Sequence, residues 1–181
     1  MDICRDQIGG YQYYYGLRYI PVRFACSQQE AAARKLIFDF KDGKNPPQAW
    51  NFFDHGLRSI TGNNFGRYVV AFIPASTRDK TYKRYLELSK HFSAAFHIFS
   101  SVKMVTRRTD TTPGHMGQKS SDPAADFVIS GEYIRGRTVI LIDDVITRGT
   151  TFTATADRLR AEGGAGSVVG LFLGKTFNPG F

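Results

Sequence analysis

Short apolar runs bounded by turn residues fill the second half of the chain, and amphipathic segments separate them. VVAFI (69–73) ends at Pro74 and reads as a buried strand. KTYKRYLELSKHFSAAFHIF carries Tyr82, Tyr85, Leu86, Phe92, Phe96 and Phe99 at helical spacing. VKMV (102–105), FVIS (127–130), VILI (139–142) and SVVGLFL (167–173) are further strand candidates. Phe152 to Glu162 forms a helix pattern with Ala156 and Leu159 inward and Gly163-Gly164 as its stop. Between 107 and 123 no apolar period exists, which predicts a long polar loop.

The first half reads differently. Residues 11–25 are rich in Tyr, Ile, Val and Phe around Gly16 and predict a β-hairpin whose second arm is an edge, because of Pro21. Ser27 and Glu30 have capping-box spacing, so a helix should start there and end near Gly43. Pro46-Pro47 suits the first turn of a second helix with Trp50, Phe53 and Leu57 on one face. Strands alternating with helices imply an α/β fold with a mainly parallel central sheet flanked by helices. Residues 1–64 are expected to form a small hairpin and helix appendage, and 65–181 the core.

Composition narrows the partners. A net charge of +8 favours anionic ligands, yet no Lys/Arg run is dense enough for a nucleic-acid tail. Nucleic acid is thus a possible partner but not an indicated one. Cys4 and Cys26 form no CxxC pair, which argues against zinc and against a disulfide framework and suits a cytoplasmic location. No apolar run reaches the length of a membrane span, and the N-terminus lacks the pattern of a signal peptide.

The most informative stretch is VILIDDVITRGTT, Val139–Thr151. Two adjacent carboxylates, Asp143 and Asp144, follow a buried run and need bonding partners such as a sugar diol or a metal ion. Ligands of open α/β sheets bind at the carboxyl ends of strands. Next come Thr147, Arg148, Gly149, Thr150 and Thr151, a hydroxyl-rich turn that opens a helix, where free N–H groups and the helix dipole favour a phosphate. Diol-binding acids followed by a phosphate cup describe a ribose 5-phosphate site.

This stretch resembles the signature of type I phosphoribosyltransferases that binds 5-phosphoribosyl 1-pyrophosphate (PRPP). IPAST (73–77) resembles the family's pyrophosphate loop, and RRTDTTPGHMGQKS stands at its flexible catalytic loop. The stretch from Arg107 to Phe177 is most similar to the ComF-like branch, without the zinc module that often precedes such domains.

The resemblance implies transfer of a phosphoribosyl group from PRPP to a nitrogen acceptor with release of pyrophosphate. Asp143 and Asp144 would hold the ribose hydroxyls and help place Mg²⁺, directly or through water. Val145 and Thr147 to Thr151 would surround the 5-phosphate. Ala75, Ser76 and Thr77 would bind pyrophosphate, often across a cis peptide in this family, with Arg78 or Lys80 adding charge. Arg107, Arg108 or Lys119 would close over the site, and His115 is a weaker acid/base candidate. Thr147 stands where 6-oxopurine enzymes carry Asp, which argues against that acceptor class. Lys175 and Phe177, or Tyr13 to Tyr15, could contact the acceptor. A homodimer is the expected assembly. The competing expectation is a PRPP- or nucleotide-binding module without turnover, serving regulation or DNA uptake.

Overall fold

A six-stranded sheet organises the described residues, 1–109 and 122–179, of the computed structural model. In chain order the elements are β1 (Cys4–Ile8), β2 (Tyr11–Tyr19), α1 (Gln28–Lys41), α2 (Pro47–Thr61), β3 (Tyr68–Phe72), α3 (Arg78–Phe96), β4 (Phe99–Ser100), β5 (Val105–Arg107), β6 (Phe127–Ile129), β7 (Thr138–Ile146), α4 (Thr150–Ala161) and β8 (Ser167–Thr176). The strand order is β1-β2-β8-β7-β3-β4. Every neighbouring pair is parallel except β1 with β2. This is the mixed α/β architecture with a mainly parallel sheet that the alternating pattern predicts. β5 and β6 form a separate antiparallel ribbon.

Strand alternation sorts the core into two layers. Val139 and Leu141 of β7 pack with Phe152, Ala156 and Leu159 of α4 on one face. Ile140 and Ile142 pack on the other with α1, α2 and α3, through Phe40, Phe53, Tyr85 and Phe92.

Alternation breaks once, along one row of three strands. Gly16 and Leu17 of β2 both face the α1–α2 layer, as do Leu173 and Gly174 of β8: a Cβ at Gly16 would strike Phe52, and one at Gly174 would strike Ile37. On β7, Val145 packs into that layer beside Asp144, which meets α3. Register is kept across the row, with Tyr15, Phe172 and Asp143 aligned before it and Leu17, Gly174 and Val145 after it. No strand gains a residue, so this is a shared crimp rather than a bulge. Glycine in two of the three pairs relieves the crowding of consecutive side chains on one face.

Three expectations from the sequence are corrected. The hairpin is β1–β2 with its turn at Gly9-Gly10, both at positive φ, and not residues 11–25. Gly16 lies inside β2, because parallel pairing with β8 draws residues 13–19 into one strand. VKMV is not a strand: Val102 and Met104 are buried in a turn between β4 and β5. Phe99 leaves the α3 period, since His97 takes a left-handed C-cap (φ 51°) and the chain enters β4. The VILI run is a strand as expected, and β7 continues through Asp143 and Asp144 at its carboxyl end to Ile146.

Gly170 tests the packing between β8 and α4. An added Cβ would lie 2.8 Å from Tyr13 Cβ and 2.9 Å from Phe152 Cζ, whereas Gly66 has no neighbour within 4 Å. Gly170→Ala should cost about 1–3 kcal/mol in urea unfolding, and Gly66→Ala should leave the midpoint in place. Equal midpoints for the two variants would show that this layer has slack.

Candidate functional site

β3 and β7 lie side by side, but their crossovers leave in opposite directions. α3 carries β3 outward to β4 on one face, and α4 carries β7 to β8 on the other. This divergence opens a crevice at the carboxyl ends of the two strands, the usual ligand position in open α/β sheets. β3 ends at Phe72 beside Ile142, with the Ile73 N–H donating to the Ile142 carbonyl at 2.9 Å. Asp143 is the first β7 residue beyond that pairing, so both acids enter the crevice.

A buried charge cluster holds them. Arg84 of α3 is 6% exposed. Its Nη1 lies 2.7 Å from Asp144 Oδ2 and 3.7 Å from Asp143 Oδ1. The Asp144 contact is out of line with the N–H bonds, so it is electrostatic rather than a directed hydrogen bond. The fully buried Tyr85 hydroxyl donates to Asp143 Oδ1 at 2.8 Å, as does the Asp144 N–H. Burial, and then the adjacent Asp144 charge, push the Asp143 carboxyl up to about 7, against the pull of Arg84 and the two hydrogen bonds. Burial and the Asp143 charge also raise Tyr85 well above its usual range, which keeps it a donor.

The cup beside Asp143 has a volume of about 230 Å³ and is lined by Asp143, Val145, Thr147, Arg148, Gly149, Thr150 and Thr151 among others. Gly149 caps α4 at φ 70°, and no side chain caps this helix. By contrast, Ser27 caps α1 and Thr77 caps α3. The α4 N-terminus therefore keeps N–H groups and a positive dipole end for an anion. The N-terminal hairpin backs this turn: a Cβ on Gly149 would lie 2.7 Å from Ile8 Cδ1, and the Tyr11 hydroxyl donates to Asp157 of α4 at 2.6 Å. On the β8 side, the Thr147 and Thr176 hydroxyls meet at 2.8 Å.

The other expected site residues divide. Ala75, Ser76 and Thr77 form the β3–α3 loop at the crevice, where Thr81 Oγ1 accepts from the Ala75 N–H and Thr77 caps the Lys80 N–H. No peptide bond there is cis, contrary to the family-based expectation. Arg107 is committed locally, donating to both Asp126 oxygens and to the Ala75 carbonyl, so it ties the β5–β6 ribbon to this loop. Arg108 is exposed on the ribbon. Lys119 and His115 lie outside the described residues. Lys175 pairs with Asp6 and sits among Tyr13, Tyr15 and Phe177.

Sequence reading missed Arg84 and Tyr85 as site residues. A signal existed: Arg84 shares the α3 face of Thr81, Tyr85 and Leu88, all buried. A cation on a core-facing stripe demands a buried anion, and Asp143 and Asp144 were already placed near the core.

Among the described residues no helix is long and apolar enough to cross a membrane, and no group of three or more His, Cys, Asp or Glu could hold a metal ion. No curated protein matches the chain. A family model described as phosphoribosyl transferase domain matches residues 77–172, more than half of the chain, from the cap of α3 through the acid pair and cup into β8. The chain therefore belongs to the phosphoribosyl transferase domain family.

Proposed function

We propose that the protein transfers the 5-phosphoribosyl group of PRPP to a nitrogen acceptor and releases pyrophosphate. The observation that carries this reading is one crevice holding both an acid pair and an uncapped helix N-terminus, within the matched family region. Thr147 to Thr151 bind the 5-phosphate. Asp143 and Asp144 take the ribose hydroxyls and stabilise positive charge developing at the anomeric carbon as the bond to pyrophosphate breaks. The Ala75–Thr77 loop receives the leaving pyrophosphate, with Arg107 holding the loop in place and Arg108 and Lys119 as further cations for its charge.

Mg²⁺ fits this donor set as a metal that arrives with substrate. The protein offers a carboxylate pair and no cluster of three ligands among the described residues. Mg²⁺ is commonly held in this way, by one or two carboxylates plus phosphate oxygens and water. The ion would neutralise charge on the departing pyrophosphate. The assignment to the ComF-like branch rests on the stretch from Arg107 to Phe177. Two free cysteines, with Cys4 exposed, support a reducing cytoplasmic setting. A homodimer is the assembly proposed, by analogy within the superfamily.

Calorimetric titration of PRPP with Mg²⁺ tests the reading. Wild type should bind saturably, and Asp143→Asn/Asp144→Asn should lose at least about a hundredfold in affinity, the size expected for two charge-assisted contacts. Equal affinity in the double variant, or no binding by folded wild type, overturns it. Acceptors can then be screened by pyrophosphate release.

The same acid should trade stability for binding. A carboxyl raised from 3.8 to about 7 on folding holds a proton that the unfolded chain gives up. Its contribution to stability is therefore lost as pH rises through that window. Asp143→Asn should melt higher than wild type above the window and converge with it below, while losing PRPP binding. A variant that melts lower than wild type at every pH would contradict this.

A further inference from the structure

We propose that Arg84 is a positioning residue for the acid pair, and that through it the end of α1 sets the aim of Asp143 and Asp144. The proposal rests on the phosphoribosyl reading of this crevice and adds a residue that reading does not use.

Arg84 joins three elements at once. From α3 its Nη1 reaches Asp144 and Asp143 on β7, and it donates to the Tyr85 hydroxyl at 3.3 Å. Its Nε donates to the carbonyl of Lys41, the last residue of α1, at 3.1 Å. That carbonyl belongs to the negative end of a helix and welcomes a cation. The turn that follows packs tightly on the same stretch of α3, since a Cβ on Gly43 would lie 2.6 Å from the Lys83 carbonyl. The guanidinium plane is thus fixed by α1 before it meets the acids.

Fixing the guanidinium fixes the acids. Asp143 Oδ1 is occupied by the Tyr85 hydroxyl and the Asp144 N–H. Asp143 Oδ2 takes no hydrogen bond from the described residues, and Asp143 lines the cup. One oxygen anchors the carboxylate while the other is presented to the crevice. Arg84 does not itself line the cup, so it acts through the acids. Lysine could not replace it: one ammonium cannot serve the Lys41 carbonyl and Asp144 with the geometry of a rigid fork.

Arg84→Lys, Arg84→Met and Tyr85→Phe test the idea with two separate readouts. The first compares binding of inorganic phosphate, which uses the cup, with binding of Mg²⁺–PRPP, which also uses the acids. Phosphate affinity should stay as in wild type, and PRPP affinity should fall about tenfold in Arg84→Lys, as for one lost charge-assisted hydrogen bond. The second is the crystal structure of ligand-free Arg84→Lys and Tyr85→Phe, in which the Asp143 and Asp144 carboxylates should leave their wild-type positions while the β7 backbone holds. Should Arg84→Met fail to fold, Arg84→Lys and Tyr85→Phe carry the test. If PRPP binds wild type and all folded variants alike and the carboxylates keep their places, the positioning role is wrong and the transferase reading stands. If the carboxylates move but wild type binds no PRPP, the reading of the crevice falls and the positioning of the acids by Arg84 remains.

Discussion

Two carboxylates at the end of a buried strand are balanced here by one guanidinium. Nothing else in the crevice is as costly, because a buried charge without a partner destabilises a fold by several kcal/mol. The debt is met incompletely. Arg84 lies closer to Asp144 than to Asp143, and Asp143 responds by holding its proton toward neutral pH. That raised titration marks a negative potential at the crevice mouth, which a proton on Asp143 offsets while no ligand is bound. A cation, or a sugar carbon gaining positive charge, would relieve it. Such strain of charge is a form of preorganisation: the field exists before the ligand arrives and costs no rearrangement when it does. The shared crimp of β2, β8 and β7 serves the same end, since it lets Asp144 lean toward α3 while Ile146 returns to the α4 face.

The family match begins at Thr77, yet much of what shapes the crevice comes from before it. α1 reaches the acids through the Lys41 carbonyl and Arg84. The hairpin reaches the cup at the α4 N-terminus through Ile8 against Gly149 and Tyr11 on Asp157. Asp6 holds Lys175, where the last strand leaves the sheet. Residues whose local sequence carries no chemical motif therefore set distances inside the motif.

Legibility in the sequence followed from how local each determinant is. The α1 capping box, the Pro46-Pro47 start of α2, the buried run of β7 and the glycine stop of α4 are encoded within a few residues, and the structure has each of them. The acid pair and cup were legible for the same reason: thirteen consecutive residues bring them together. What failed depended on distant pairing. The span of β2 is set by β8, which lies at the other end of the chain, so Gly16 looked like a turn and is a strand residue. The VKMV run met the apolar test for a strand, but its buried side chains fill a turn because β4 ends at Ser100. Arg84 was hidden for a related reason: its neighbours Lys80 and Lys83 are ordinary surface cations, and only the helical phase separates it from them.

That phase has a consequence for how such sites can be read. On α3 the stripe of Thr81, Tyr85, Leu88 and Phe92 is continuous core, and Arg84 is buried along with it. A guanidinium placed there makes no sense for packing alone, since an apolar side chain of similar volume is often neutral or stabilising in place of a buried ion pair. It does make sense if the acids are required for another purpose and must be kept where they are. The pairing of a core-facing Arg with a strand-end Asp-Asp is then a joint signal, more informative than either half. The acids alone suit a turn or a metal, and the Arg alone looks like a surface residue out of phase. Together, on helix and strand flanking a switch point, they mark where this chain accepts an energetic cost in its core.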